Sequence, residues 1–269
     1  MSERDHYPDG VPCWVTALQD DVAAAQEFYG PLFGWTFSGP AEPEAGSAPY
    51  VVAKLRGREV AGIGTRPEGA QMAWMTEVRV GSAEVAATKG PAVGGTLLAG
   101  PMDLPPAGRL TVLRDPAGAV LCAFEAGARE GAQLVNEPGA WAMSALHTDD
   151  PEGAERFYGA VFGWQPEAYG PPEGGVSIWR LPGYVGGEPE QPVARDVVAV
   201  MLPLDPGADA APHWSVDFWV HDADATAAQA EELGGRVVVA PHDAAPFRQA
   251  VLEDPQGASF SISQLVLSG

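Results

Sequence analysis

Short stretches of the chain alternate apolar and polar positions, the period of a strand with one buried face. In Ser215-Val216-Asp217-Phe218-Trp219-Val220, the set Val216, Phe218 and Val220 is apolar, leaving Ser215, Asp217 and Trp219 for the opposite face. The same reading of Met75 to Val80 sends Thr76, Val78 and Val80 inward and Met75, Glu77 and Arg79 to the other side. Further strands are predicted at 14–18, 50–55, 141–146 and 197–202. Helices are predicted where the period lengthens. Asp21 and Asp150 are N-caps, the latter followed by proline at the first helical position. Gly30 and Gly159 suit the helix stops, and two further helices run through 84–89 and 223–233.

The pattern occurs twice. Phe28-Tyr29-Gly30-Pro31-Leu32-Phe33-Gly34-Trp35 returns as Phe157-Tyr158-Gly159-Ala160-Val161-Phe162-Gly163-Trp164. Gly94-Gly95 returns as Gly234-Gly235, and Asp115-Pro116-Ala117-Gly118-Ala119 as Asp254-Pro255-Gln256-Gly257-Ala258. Three matches in one order indicate an internal duplication. The offset grows along the chain, which places extra residues within 165–212. Each half reads as βαβββ followed by βαβββ, an α+β fold with helices on one face of a sheet. The domains are expected at 1–130 and 138–269, joined near Gly131–Pro138, with the Phe-Tyr-Gly helices on the outer faces of the sheets.

This arrangement of strand, Phe-Tyr-Gly helix, Gly-Gly pair and Asp-Pro-x-Gly-Ala turn resembles the vicinal oxygen chelate superfamily of glyoxalases, bleomycin-resistance proteins and extradiol dioxygenases. The resemblance covers nearly the whole chain, as two tandem copies. It implies paired βαβββ modules that curl into a cup around a ligand or metal. Enzymes of that superfamily hold a divalent metal through His, Glu or Gln on first and last module strands. The repeat puts Thr16, Met75, Ala145, Ser215, Cys122 and Ser261 at those positions, and none is His, Asp or Glu. Such donors do not make a 2-His-1-carboxylate or oxygen-rich site. His213 and His221, about 26 Å apart on one extended strand, cannot share an ion. No metal and no cofactor is therefore expected.

Fifteen basic residues against 36 acidic ones give a net charge of −21. That disfavours nucleic acid and anionic membrane surfaces, both of which require a basic patch. The excess is concentrated in the second half: residues 137–269 carry 5 basic and 20 acidic side chains. The N-terminus shows no basic-then-apolar signal pattern and no apolar run reaches ~20 residues, so a cytoplasmic protein is expected. Cys13 and Cys122 form no CxxC pair. The candidate ligand-binding residues are Trp141, Met143, Ala145, Ser215, Asp217, Trp219, Ser259 and Ser261 in the second cup, with Met75, Glu77 and Cys122 in the first. Glu77 and Arg79 are expected to pair in the wall of the first cup. Aromatic walls with one carboxylate suit a small aromatic cation. The leading expectation is metal-independent small-molecule binding, as in sequestration of an antibiotic or pathway intermediate. The alternative is a tailoring isomerase, lyase or hydroxylase of secondary metabolism that uses an acid–base residue such as Asp217 or His147.

Overall fold

A computed structural model describes residues 3–39, 48–170, 176–186, 195–204 and 210–266. In the first half these form β1 (Pro12–Gln19), α1 (Val22–Phe33), β2 (Thr36–Ser38), β3 (Tyr50–Leu55), β4 (Arg58–Thr65), β5 (Ala73–Arg79), α2 (Ala83–Ala92), β6 (Thr96–Leu104), β7 (Gly108–Arg114) and β8 (Val120–Ala126). The second half repeats the order as β9 (Trp141–Thr148), α3 (Pro151–Phe162), β10 (Gln165–Ala168), β11 (Ser177–Arg180), β12 (Val197–Pro203), β13 (His213–Trp219), α4 (Ala223–Glu232), β14 (Arg236–Ala244), β15 (Phe247–Glu253) and β16 (Ser259–Leu265). Each half is one eight-stranded mixed sheet, ordered β2-β3-β4-β1-β5-β8-β7-β6 and β10-β11-β12-β9-β13-β16-β15-β14. The two tandem α+β domains are thus topological copies. Much of the expected insertion within 165–212 lies outside the described residues.

Local chemistry explains the helix limits. The Asp21 and Asp150 carboxylates accept from the backbone N–H groups of Ala24 and Gly153, satisfying donors of the first turn. The helices do not stop at Gly30 and Gly159 as the sequence suggests. They run on to Phe33 and Phe162 and end at Gly34 and Gly163, both left-handed, whose N–H groups return to the carbonyls of Gly30 and Gly159. Space at Gly30 and Gly159 is limited but not closed: an added Cβ would lie 3.3 Å from the Phe37 ring and 3.3 Å from the Trp164 carbonyl, respectively.

The helices also do not face outward. The sheets pack with their helix-bearing faces toward each other, so α1 meets α4 and α2 meets α3 across the domain boundary. Phe28 and Phe33 lie against Phe260 and Phe218 of the other sheet. The physical reason is the width of the apolar stripe: Phe28, Tyr29, Leu32 and Phe33 are all buried, more than one sheet face covers. Reciprocal hydrogen bonds fix the contact. Tyr29 donates to the carboxylate of Asp254 at 2.7 Å, and Tyr158 donates to that of Asp115 at 2.8 Å. Each tyrosine oxygen accepts in turn from an indole N–H, of Trp74 and Trp214 respectively. The other oxygen of each aspartate accepts two backbone N–H groups of its own Asp-Pro-x-Gly-Ala turn.

Replacing Tyr29 or Tyr158 by Phe withdraws one donor from a buried carboxylate. Each change should lower the free energy of unfolding by about 1–3 kcal/mol. Urea unfolding should show a lower midpoint at an unchanged slope; an unchanged midpoint in both variants would contradict the interdomain lock.

Candidate functional site

With the helix-bearing faces buried, the concave faces point away from each other and differ in content. In the first cup, Trp14 and Thr16 from β1, Glu77 from β5, and Cys122 and Phe124 from β8 are all buried. Tyr50 of β3 lies across Gly62 of β4, where a Cβ would meet its hydroxyl at 2.0 Å. Thr16 donates to Glu77 at 2.8 Å. The expected pairing of Glu77 with Arg79 is not formed. Arg79 sits at the end of β5 and turns to Glu130 at 2.6 Å, while the ion partner of Glu77 is Arg129 at 3.8 Å, from the segment after β8. Burial pushes the Glu77 carboxyl and the Cys122 thiol up from their ordinary values, the Arg129 charge partly offsetting the effect at Glu77. Met75, half-buried, stands opposite Thr16. Met75, Glu77 and Cys122 line none of the second-cup cavity described next.

An open cavity of about 910 Å³ is lined by the second cup together with first-half residues such as Arg4, Tyr7, Met72 and Trp74, and with Arg195. Trp141, Met143 and Ala145 of β9, Ser215, Asp217 and Trp219 of β13, and Ser259 and Ser261 of β16 all line it. Register explains the convergence: Asp217 stands opposite Met143 on one side and Ser261 on the other, and Ser215 opposite Ala145. Phe247 and Gln249 of β15 complete the wall, with the Phe247 ring 6.1 Å from that of Trp219. Trp214, one residue out of phase, donates to Tyr158 in the interdomain core and also borders the cavity.

Asp217 is the only acidic residue lining this cavity among the described residues. Ser263 donates to its carboxylate at 2.8 Å and itself accepts from the Gln249 amide at 3.0 Å. Burial raises the Asp217 carboxyl from its ordinary value to about 6, the serine hydroxyls holding it back. His147 extends the Trp141, Met143, Ala145 alternation by one step and lies within β9. Period two alone places it in the cup, a position the sequence reading missed by ending the strand early. Its neighbour across the ladder is His213; the imidazoles stack at 4.5 Å with 5° between planes. His147 Nε2 is 2.9 Å from the Ser215 hydroxyl. Burial first, and the His213 charge second, lower its pKa to about 4.

The positions that the superfamily resemblance suggests for metal ligands are Thr16, Met75 and Cys122 in one cup and Ala145, Ser215 and Ser261 in the other, none of them His, Asp or Glu. Among the described residues no three His, Cys, Asp or Glu side chains come together to hold an ion. The imidazoles of His147 and His213 stack in nearly parallel planes, so their in-plane lone pairs lie in separate planes; Nε2 of His147 is engaged with the Ser215 hydroxyl and Nδ1 of His213 with the Ala211 carbonyl. Glu77 is engaged by Thr16 and Arg129. These side chains do not fit a divalent metal.

Two opposed titrations follow. The raised pKa of Asp217 favours the folded state at low pH, a contribution lost as pH rises from about 4 through 6. The lowered pKa of His147 contributes stability present above about 6.5 and lost as pH falls toward 4. In the wild type the two slopes oppose each other. Asp217→Asn should leave stability rising from pH 4 to 6.5, and His147→Asn should leave it falling from pH 4 to 6. Urea midpoints across that range measure both, and parallel profiles for the two variants would contradict the assignment.

The described residues contain no helix long and apolar enough to cross a membrane. A family model described as a glyoxalase-like domain matches residues 141–263. The chain is 37% identical over 267 residues to "Putative glyoxylase CFP32" of Mycobacterium tuberculosis, covering 97% of both chains. It is 32% identical over 274 residues to the "Anthracycline biosynthesis protein DnrV" of Streptomyces peucetius, covering 96% of this chain and 94% of that one. The Mn(II)-bound glyoxalase from Novosphingobium aromaticivorans superposes with a TM-score of 0.64 at 14% identity, over 96% of this chain and 83% of its own. The 2,3-dioxygenase LapB from Pseudomonas sp. KL28 superposes at 0.60 and 12% identity, over 96% and 94%. At such identities the structures speak for the fold alone. Sequence kinship along the whole chain, together with the duplicated βαβββ sheets, makes this protein a tandem two-domain member of the glyoxalase-like proteins of the vicinal oxygen chelate superfamily.

Proposed function

We propose that the second cup binds a planar aromatic cation without a metal, and that the protein serves to sequester an antibiotic or a pathway intermediate. One observation carries this reading. Asp217 and Glu77 occupy the same position of the duplicated sheets, opposite Ser261 and Cys122. Glu77 has a guanidinium 3.8 Å away, whereas the side chains acting on Asp217 are serine hydroxyls; Arg4 and Arg195 line the same cavity but are not among them. A ligand cation would supply that missing charge, and Trp141, Trp219 and Phe247 offer flat apolar surface for its rings. The cavity of about 910 Å³, which the cup shares with first-half residues, leaves room for a polycyclic molecule. The relative in anthracycline biosynthesis supports that chemical class. The acidic excess of the second half would raise the local concentration of a cation.

A second reading rests on the raised pKa of Asp217. A carboxyl near 6 can exchange a proton with a bound phenol or enol close to neutral pH. On that reading Asp217 is the acid–base of a tailoring enzyme, His147 remains neutral, and Ser263 and Gln249 hold the carboxylate in place. Consumption of the ligand under turnover conditions distinguishes this from sequestration.

Fluorescence titration with an amine-bearing anthracycline and its N-acetyl derivative tests the binding reading. Trp219→Ala should weaken both by about 1–3 kcal/mol through lost aromatic burial. Asp217→Asn should weaken the amine and leave the acetylated compound nearly unchanged. Below pH 6 the wild type should lose about tenfold in affinity for the amine per pH unit, because the proton and the cation compete for one carboxylate. His213 and His242 at the cavity wall are controlled by Asn variants. Equal losses for both compounds in Asp217→Asn would remove the cation. Stoichiometric metal that survives dialysis in untagged protein, or a melting temperature lowered by chelator, would overturn metal independence.

A further inference from the structure

The first cup holds a side chain that behaves as a ligand does. Arg129 belongs to no strand of that sheet. It comes from the connector after β8, whose Gly127 and Ala128 N–H groups bond the carbonyls of Ala107 and Pro106 at the β6–β7 turn. The connector then crosses the rim, where Ala132 bonds the Cys13 carbonyl, Gln133 bonds that of Glu59, and Tyr7 donates to Ala132. From this strap Arg129 inserts its guanidinium into the cup. The Cζ atom lies 4.5 Å from the centre of the Trp14 ring, 5.2 Å from Phe124 and 5.8 Å from Tyr50. Nη1 donates to the Tyr50 hydroxyl at 3.2 Å, and Nη2 faces Glu77 at 3.8 Å. Only 11% of the Arg129 side chain and 6% of that of Glu77 are exposed.

Three aromatic rings around a cation, with a carboxylate behind, form a recognition site for a delocalised planar cation. The fit is incomplete. Glu77 Oε2 and Arg129 Nε are both buried without a hydrogen-bond partner, so the side chain reaches the site without saturating it. A cavity of about 150 Å³ lined by Arg129, Tyr7 and Arg58 adjoins it from outside.

We infer that the first cup is a guanidinium-binding cage occupied in cis by Arg129, and that removing this side chain uncovers a metal-free site for small planar cations. The duplicated cups thus carry one internal and one open site. Arg129→Ala leaves Glu77 buried without its counter-ion and should lower the melting temperature. Guanidinium at about 20 mM, far below its denaturing range, should restore much of that loss with a saturable dose dependence. Isosteric neutral urea at the same concentration should not, and neither cation nor urea should raise the wild-type value. Adding Glu77→Gln to Arg129→Ala should abolish the rescue. If Arg129→Ala does not fold alone, refolding yield with and without about 20 mM guanidinium reads the same site. Arg129→Lys supplies a second measurement, because an ammonium keeps the charge but not the planar stacking; it should fall measurably below the wild type in melting temperature. Rescue by urea as well as by guanidinium, absence of rescue in both melting and refolding, or a lysine variant equal to the wild type would overturn the cage.

Discussion

The structure depends on a pair of reciprocal hydrogen bonds between tyrosine and aspartate across the domain boundary. Tyr29 reaches Asp254 and Tyr158 reaches Asp115, while Trp74 and Trp214 support the two hydroxyls. The Gly-Gly pairs belong to the same contact. A Cβ on Gly95 would meet the Phe157 ring at 2.3 Å, and one on Gly235 would meet that of Phe28 at 2.9 Å. Helix, glycine pair and aspartate turn, three short motifs far apart in each half, therefore meet as the two sides of one interface used twice. Their demand for ring shape, small size and a specific acceptor explains why they persist in both copies.

That explains what was legible in the sequence. The motifs that revealed the duplication and the superfamily are interface chemistry, and they led correctly to two tandem α+β domains. They carry no information about the cups, which lie on the opposite faces of the sheets. Strand alternation did carry some. Period two put Ser215, Asp217 and Trp219 on the face that lines the large cavity. It stopped short at His147 because the strand was ended at Leu146, and antiparallel register, invisible to a linear reading, was needed to bring His213 beside it. The outward placement of the helices failed for a related reason. Burial of Phe28 and Phe33 is predictable, but the identity of the surface that buries them is a tertiary fact.

The first cup illustrates a harder limit. Glu77 and Arg79 share a strand face and invite pairing, yet Arg79 lies at a strand end where Asp9 and Glu130 are in reach. The partner of Glu77 lies 52 positions away in a connector without periodicity. No local pattern marks a loop arginine for burial among Trp14, Tyr50 and Phe124. Duplicated sheets diverged here through what enters the concavity from outside, while the sheet framework stayed the same.

The interdomain lock also sets an order of events during synthesis. Tyr29 and Asp254 are separated by 225 residues. At ~5–20 residues per second, the ribosome needs roughly 10–45 s to supply that aspartate after the tyrosine. Early in that interval the first sheet is itself unfinished, since its last strand ends at Ala126; thereafter the aromatic face of α1 has that sheet beneath it and nothing above. The nascent first half is thus a sticky intermediate whose apolar face invites chaperones or a second nascent chain. Its cover arrives with β13 and β16 of the second domain, which carry Phe218 and Phe260.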